Sequence, residues 1–145
     1  MSVTVEKIDL NDEAQRSDLE KIYEDSPGWM RRNLESGDFI KKWLEPCSEI
    51  WGGCYNGRII GAVGLRETDQ GLQLIGLCVR EVTRRRGVAF DMMELILAKR
   101  KGKVFIETRQ QPSTDILFDK LGFNKQALSR EDGGITWVRW EKELS

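Results

Sequence analysis

The residues Leu77-Cys78-Val79-Arg80-Glu81-Val82-Thr83-Arg84-Arg85-Arg86-Gly87-Val88-Ala89 carry an apolar, β-rich run through an arginine-rich turn into an amphipathic helix. In the spacing Arg84-x-x-Gly87-x-Ala89, small side chains fall where the chain folds back. Backbone N–H groups there can approach an anion that the helix N-terminus also attracts. Arg80, Arg84, Arg85 and Arg86 sit at or before the start of that helix, where the macrodipole disfavours cations by roughly 0.3–1 kcal/mol each unless an anion compensates. A diphosphate is the guest that fits. A solvated arginine-rich surface turn would account for the cations alone, but not for their coincidence with the strand, Gly87 and Ala89.

Other chemistries lack their parts. The chain has no histidine, and its three cysteines, Cys47, Cys54 and Cys78, have no metal-ligand spacing, so zinc sites and His-activated nucleophiles are not expected. Cys78 reads as a small buried strand residue. A net charge of −1 over 145 residues argues against a general nucleic-acid or membrane-surface binder. No apolar run has the length of a membrane span, and the first residues lack the basic and apolar regions of a secretion signal, so a cytoplasmic protein is expected.

The elements that must hold the arginine turn follow from pattern. One domain over residues 1–145 is expected from the length. Val3, Val5 and Ile8 mark a first strand, and Ser17-Asp18-Leu19-Glu20 has capping-box form within a helix over roughly 12 to 25. Ser26-Pro27-Gly28 breaks that helix, after which Phe39, Ile40, Trp43 and Leu44 mark a second one closed by Pro46. Runs over 50–55 and 59–65 are joined by Asn56-Gly57, the pair best suited to a type I′ hairpin. Strands are expected over 72–80, 103–109 and 137–140. Ala89, Met92, Met93, Ile96 and Leu97 form the buried stripe of a helix that Gly102 ends. Pro112 and Ser113 open another, carrying Ile116, Leu117, Phe118 and Leu121, with Gly122 as its stop and Phe123 re-entering the core. Mixed elements with an antiparallel front half imply an α+β, three-layer α/β/α architecture.

With Arg84-Arg85-Arg86-Gly87-Val88-Ala89 in the position of the Arg/Gln-x-x-Gly-x-Gly/Ala motif, the chain resembles the GNAT superfamily of N-acetyltransferases. The longer string from Val79 to Val88 resembles the acetyl-CoA sensor PanZ/PanM family within it. Weaker similarity lies in Asp18–Tyr23, Tyr55–Ile60, Leu121-Gly122-Phe123 and Trp140-Glu141-Lys142. The resemblance implies the GNAT fold, a mixed central sheet flanked by helices, with acetyl-CoA or CoA as cofactor. It implies that Leu77 and Val79 offer backbone groups to the pantetheine amides, with Cys78 between them. Thr83, Arg84, Arg85, Arg86, Gly87, Val88 and Ala89 would hold the pyrophosphate, with Phe90 flanking it.

The same resemblance implies a regulatory role, in which the acetyl-CoA complex binds pro-aspartate decarboxylase and promotes its self-cleavage, with Asn56 and Arg80 as partner contacts. Two departures bear on this. Cys54 stands where a basic residue is expected two positions before Asn56, and the segment Met30 to Glu45 is longer than the short family form. Catalysis is less supported. Family helices read Phe-Tyr-x-x-Leu-Gly-Phe where this chain reads Leu117-Phe118-Asp119-Lys120-Leu121-Gly122-Phe123, so the tyrosine that often serves as general acid is Phe118. Phe118 is also compatible with a plain core role. Glu107, in a Glu-x-Arg setting similar to that of some N-terminal acetyltransferases, is the candidate base, with a solvent-facing or salt-bridged strand residue as the alternative; Tyr23 and Tyr55 are further conceivable acids.

Overall fold

A computed structural model describes residues 2–145. One sheet of seven strands runs in the order β1-β2-β3-β4-β5-β7-β6. Its strands are β1 (Thr4–Lys7), β2 (Glu49–Tyr55), β3 (Arg58–Thr68), β4 (Gly71–Val79), β5 (Gly102–Arg109), β6 (Asn124–Asp132) and β7 (Ile135–Leu144). Every pairing is antiparallel except that of β4 with β5. The helices α1 (Glu13–Glu24), α2 (Gly28–Arg31) and α3 (Ser36–Phe39), the last running into a π-helical turn over Ile40–Leu44, precede β2; α4 (Val88–Leu97) follows β4 and α5 (Pro112–Lys120) follows β5.

Two apolar clusters give the three layers expected of an α+β fold. Leu19, Ile22 and Tyr23 of α1 pack with Phe39, Ile40 and Leu44 on one cluster with Ile59 and Cys78. Met92, Met93 and Ile96 of α4 and Phe118 of α5 pack on the other with Ile106, Val138 and Trp140. Asn56 and Gly57 both take positive φ, 49° and 72°, the type I′ geometry that the dipeptide favours.

Several elements differ from the sequence reading. Helix α1 has the expected extent, but Asp12 caps it, accepting from the N–H groups of Ala14 and Gln15. Ser17 lies inside the helix. Asp18 is instead buried and accepts from the Arg58 guanidinium and the Ile59 N–H. Helix α4 ends at Leu97 with Ala98 as its C-cap, and Gly102 instead begins β5 with φ 94°. Val88, rather than Ala89, is the buried residue of its first turn. Strand β6 and helix α2 are additional elements, and Ile116 is 69% exposed.

The Arg58 hydrogen bond, with help from the Ile59 N–H and against the pull of burial, holds the Asp18 carboxyl below its usual range. A carboxylate depressed in the folded state adds stability above its unfolded pKa, about 3.9, and that stability disappears as pH falls through the folded value. Unfolding free energy, measured by urea titration, is therefore expected to fall below about pH 4. The fall is expected to be shallower in Asp18→Asn. Asp18→Ala is expected to cost about 1–3 kcal/mol at neutral pH, because the buried Ile59 N–H loses its acceptor.

Candidate functional site

The parallel strands β4 and β5 pair only at Leu72 with Val104 and Gln73 with Phe105, and separate beyond that point. A bulge drives the separation. Opposite Ala62–Gly64 of β3, β4 spends the longer interval Ile75–Cys78. Gly76 takes φ 65° inside it, a conformation that suits glycine. Beneath the bulge the fully buried Tyr23 donates its hydroxyl to the Gly76 carbonyl at 2.6 Å. Burial pushes that phenol well above its ordinary value of 10. Tyr23 is thus a neutral strut under the strand.

The gap between the strands is a cleft of about 920 Å³. At one end the loop after β4 forms a short 3₁₀ turn, Glu81–Thr83, and then takes positive φ at both Arg85 (65°) and Gly87 (75°). Successive turns of this kind point backbone N–H groups into one concavity. Gly87 occupies the N-cap position of α4 with no side-chain cap, and the first N–H returning to the helix is that of Asp91 to the Gly87 carbonyl, 2.9 Å. The donors of Val88, Ala89 and Phe90 thus belong to an open first turn. A Cβ built on Gly87 would meet nothing within 4 Å, so the space above the turn is clear.

The arginines divide their work. Arg84 donates from Nε to the Val79 carbonyl, 3.2 Å, and from Nη2 to the Asp25 carbonyl, 2.6 Å, so its guanidinium braces the loop against the end of α1. Arg80 Nε reaches Asp25 Oδ2 at 2.7 Å. Burial raises the Asp25 pKa, but the Glu81 N–H and Arg80 overcome that and hold the carboxyl below the usual range. Thr83 is buried, its hydroxyl donating to the Arg80 carbonyl. Arg85 and Arg86 are exposed and enter none of the ion pairs among the described residues.

Along the walls, Leu77 and Val79 line the cleft from β4, while Cys78 turns its thiol toward the Ile22 carbonyl. Burial pushes that thiol up to about 11, and those of Cys47 and Cys54 likewise to about 11. None is a thiolate at neutral pH. Phe118 lines the wall at 2% exposure, with its ring centroid 5.2 Å from that of Phe123 and 5.9 Å from that of Trp140. No tyrosine is among the described lining residues; Tyr55 lies on the β2–β3 hairpin. Glu107 lines the cleft and accepts from Arg130 Nε at 3.2 Å. Asn56 is exposed at the hairpin tip, and the Arg80 N–H bonds the Ile60 carbonyl nearby, so both partner-contact candidates lie at the β4 C-terminal end of the sheet.

Trp29, Met30, Lys120 and Thr108 are among the lining residues that the sequence reading did not place in the site. Trp29 and Met30 reach the cleft from α2, a helix concealed by its Pro-Gly start. Lys120 places its ammonium 4.3 Å from the Phe90 ring centroid. Thr108, 5% exposed, has a hydroxyl with no hydrogen-bond partner. A clear space over Gly87 and unspent helical N–H groups fit an anionic guest at this end of the cleft. No group of three or more potential metal ligands occurs among the described residues, and no helix there is long and apolar enough to cross a membrane.

A family model described as an acetyltransferase (GNAT) domain, PanZ, matches residues 2–114. No curated protein matches the chain. Among solved structures, the ribosomal-protein-S18-alanine N-acetyltransferase from Escherichia coli is similar with TM-score 0.74 at 16% identity, over 99% of this chain and 95% of that one. A GNAT family acetyltransferase from Bacillus cereus gives TM-score 0.74 at 19% identity, over 100% and 99% of the two chains. A GNAT family acetyltransferase from Elizabethkingia anophelis, solved with acetyl-CoA bound, gives 0.67 at 17% identity over 98% of each.

Proposed function

Because the chain belongs to the PanZ family of GNAT acetyltransferase domains, we propose that it binds acetyl-CoA in the β4–β5 cleft and acts in the cytoplasm as an acetyl-CoA-dependent regulatory partner of pro-aspartate decarboxylase. One observation carries this reading. The cleft keeps its N–H cradle at Arg85 to Phe90, while the wall that would need a proton donor offers the buried ring of Phe118.

The open first turn of α4 would take the pyrophosphate, with Arg85 and Arg86 adding charge-assisted contacts. Backbone groups of Leu77 and Val79 would meet the pantetheine amides. When bound, acetyl-CoA would supply a thioester, whose acyl transfer is accelerated by acid assistance to the departing thiolate. General acid catalysis contributes about 10²–10⁴-fold, and a phenyl ring supplies none of it. The Arg84 and Arg80 contacts to Asp25 tie the cradle to the end of α1 beside Arg80, and through them occupancy of the cradle would favour the partner-binding state.

The test is retention of the cognate pro-decarboxylase on the immobilised chain, with and without acetyl-CoA, while self-cleavage is followed on gels. Retention and faster cleavage only with acetyl-CoA are expected. A chain that binds acetyl-CoA by calorimetry yet leaves the pro-enzyme unretained and its cleavage rate unchanged would remove the regulatory half of the proposal. A second reading, amine acetylation with Glu107 as base, is favoured by the position of Glu107 in the same cleft. Thiol release across amines and peptides decides it: turnover that drops about 10²-fold or more in Glu107→Gln would establish the enzyme.

A further inference from the structure

Beside the Glu107 end of the cleft stands a stack that neither the cofactor nor the regulatory reading uses. The guanidinium carbon of Arg32 lies 4.7 Å from the ring centroid of Trp43 and 4.9 Å from that of Trp137. Arg130 also stacks on Trp137, at 5.5 Å, and Trp29 meets Trp137 edge-on at 5.7 Å. The stack is therefore continuous with the cleft, since Trp29 and Glu107 line it and Arg130 bonds Glu107.

Arg32 remains exposed at its edge, and among the described residues no carboxylate or carbonyl accepts from it. The carboxylates on the stack, Glu107 and Asp132, are both engaged by Arg130. The indole N–H groups of Trp43 and Trp137 are buried without an acceptor. The donor left open to solvent at this locus is the Arg32 guanidinium. Aromatic faces satisfy the flat sides of a guanidinium and leave its N–H fork pointing outward, already oriented for a planar anion. Arg32 and Asn33 hold positive φ, 54° and 62°, where α2 ends, with Arg32 as its left-handed C-cap.

We propose that Arg32, clamped between Trp43 and Trp137, is a receptor for the carboxylate of a small molecule that enters the Glu107 end of the cleft. A carboxylate matches the exposed Arg32 fork in plane and spacing, and its two oxygens accept from that guanidinium. The site is independent of the phosphate cradle, so it stands whether or not the chain binds acetyl-CoA.

Tryptophan fluorescence of the full chain, titrated with succinate at constant ionic strength maintained by chloride, tests it. A saturable change is expected, weakened at least about tenfold in Arg32→Gln and also weakened in Arg32→Lys, which keeps the charge but loses the planar fork. Lys41→Gln, at an exposed lysine outside the stack, is expected to titrate like the parent chain. A tripeptide with a free C-terminus, compared with its amide, distinguishes the carboxylate source. Tighter binding of the free peptide than of succinate would assign the site to a peptide terminus and overturn the small-molecule assignment. No saturable response, the same response to chloride alone, or equal affinity in folded Arg32→Gln would overturn the receptor altogether. Folding is checked by circular dichroism.

Discussion

Replacing Gly87 with valine is expected to weaken acetyl-CoA binding about ten- to a hundredfold while leaving the melting temperature within a few degrees of the parent. The reason is conformational. Gly87 sits at φ 75°, and a Cβ there would touch nothing within 4 Å, so the fold gains no clash. A β-branched residue nonetheless resists that region, at a cost of about 1–3 kcal/mol, and the cheapest escape is to rotate the turn. Rotation turns the cradle N–H groups away from their common focus. Isothermal calorimetry measures the loss, and Gly133→Val is the control. Gly133 has φ 60° and an equally open Cβ position in the β6–β7 turn, so it carries similar strain with no expected effect on binding. Equal affinity in Gly87→Val would place the phosphates elsewhere.

A Gly76→Val chain is expected to lose about 2–5 kcal/mol of stability, combining the left-handed penalty with overpacking. For a chain of this length that amounts to a fall of very roughly 5–20 °C in melting temperature. The new Cβ would lie 3.0 Å from Phe39 Cζ and 3.2 Å from the Tyr23 hydroxyl. Cofactor binding is expected to fall as well, because the bulge at Gly76 is what parts β4 from β5. The milder pair Gly76→Ala and Tyr23→Phe separates the two causes. Tyr23→Phe alone leaves the Gly76 carbonyl without its donor, about 1–3 kcal/mol, yet it makes room for a methyl group at 76. The double variant is expected to cost less than the sum of the singles. Strict additivity in thermal melts would show that the hydroxyl and the glycine are unrelated.

How far the sequence reveals this molecule depends on where the information is local. The Asn56-Gly57 hairpin and the Gly122 stop are legible because each needs a positive φ and names the residues that tolerate it. At the latter, the N–H groups of Gly122 and Phe123 return to the Asp119 and Phe118 carbonyls, closing the helix end that the pattern promised. Strand β6 is illegible because Asn124 to Asp132 is mostly polar and gets its form from pairing with β7. Ser17-Asp18-Leu19-Glu20 has capping form, but Asp18 answers a partner forty residues away in sequence, Arg58. The site follows the same division. Thr83 to Phe90 is contiguous, and all of it but Arg86 lines the cleft, whereas Trp29, Met30 and Thr108 come to the cleft from separate elements. The bracing role of Arg84 is invisible in a motif, since it depends on where α1 ends.

Two residue pairs, Leu72 with Val104 and Gln73 with Phe105, are the only ladder pairs among the described residues that join the front four strands to the back three. The sheet is therefore a pair of tongs riveted at one end, and whatever lodges between the tips becomes the missing rung of the ladder. Amide exchange along the inner edges of the two blades is the property such an occupant alters most, and hydrogen–deuterium exchange on those edges reports its arrival without any knowledge of its chemistry.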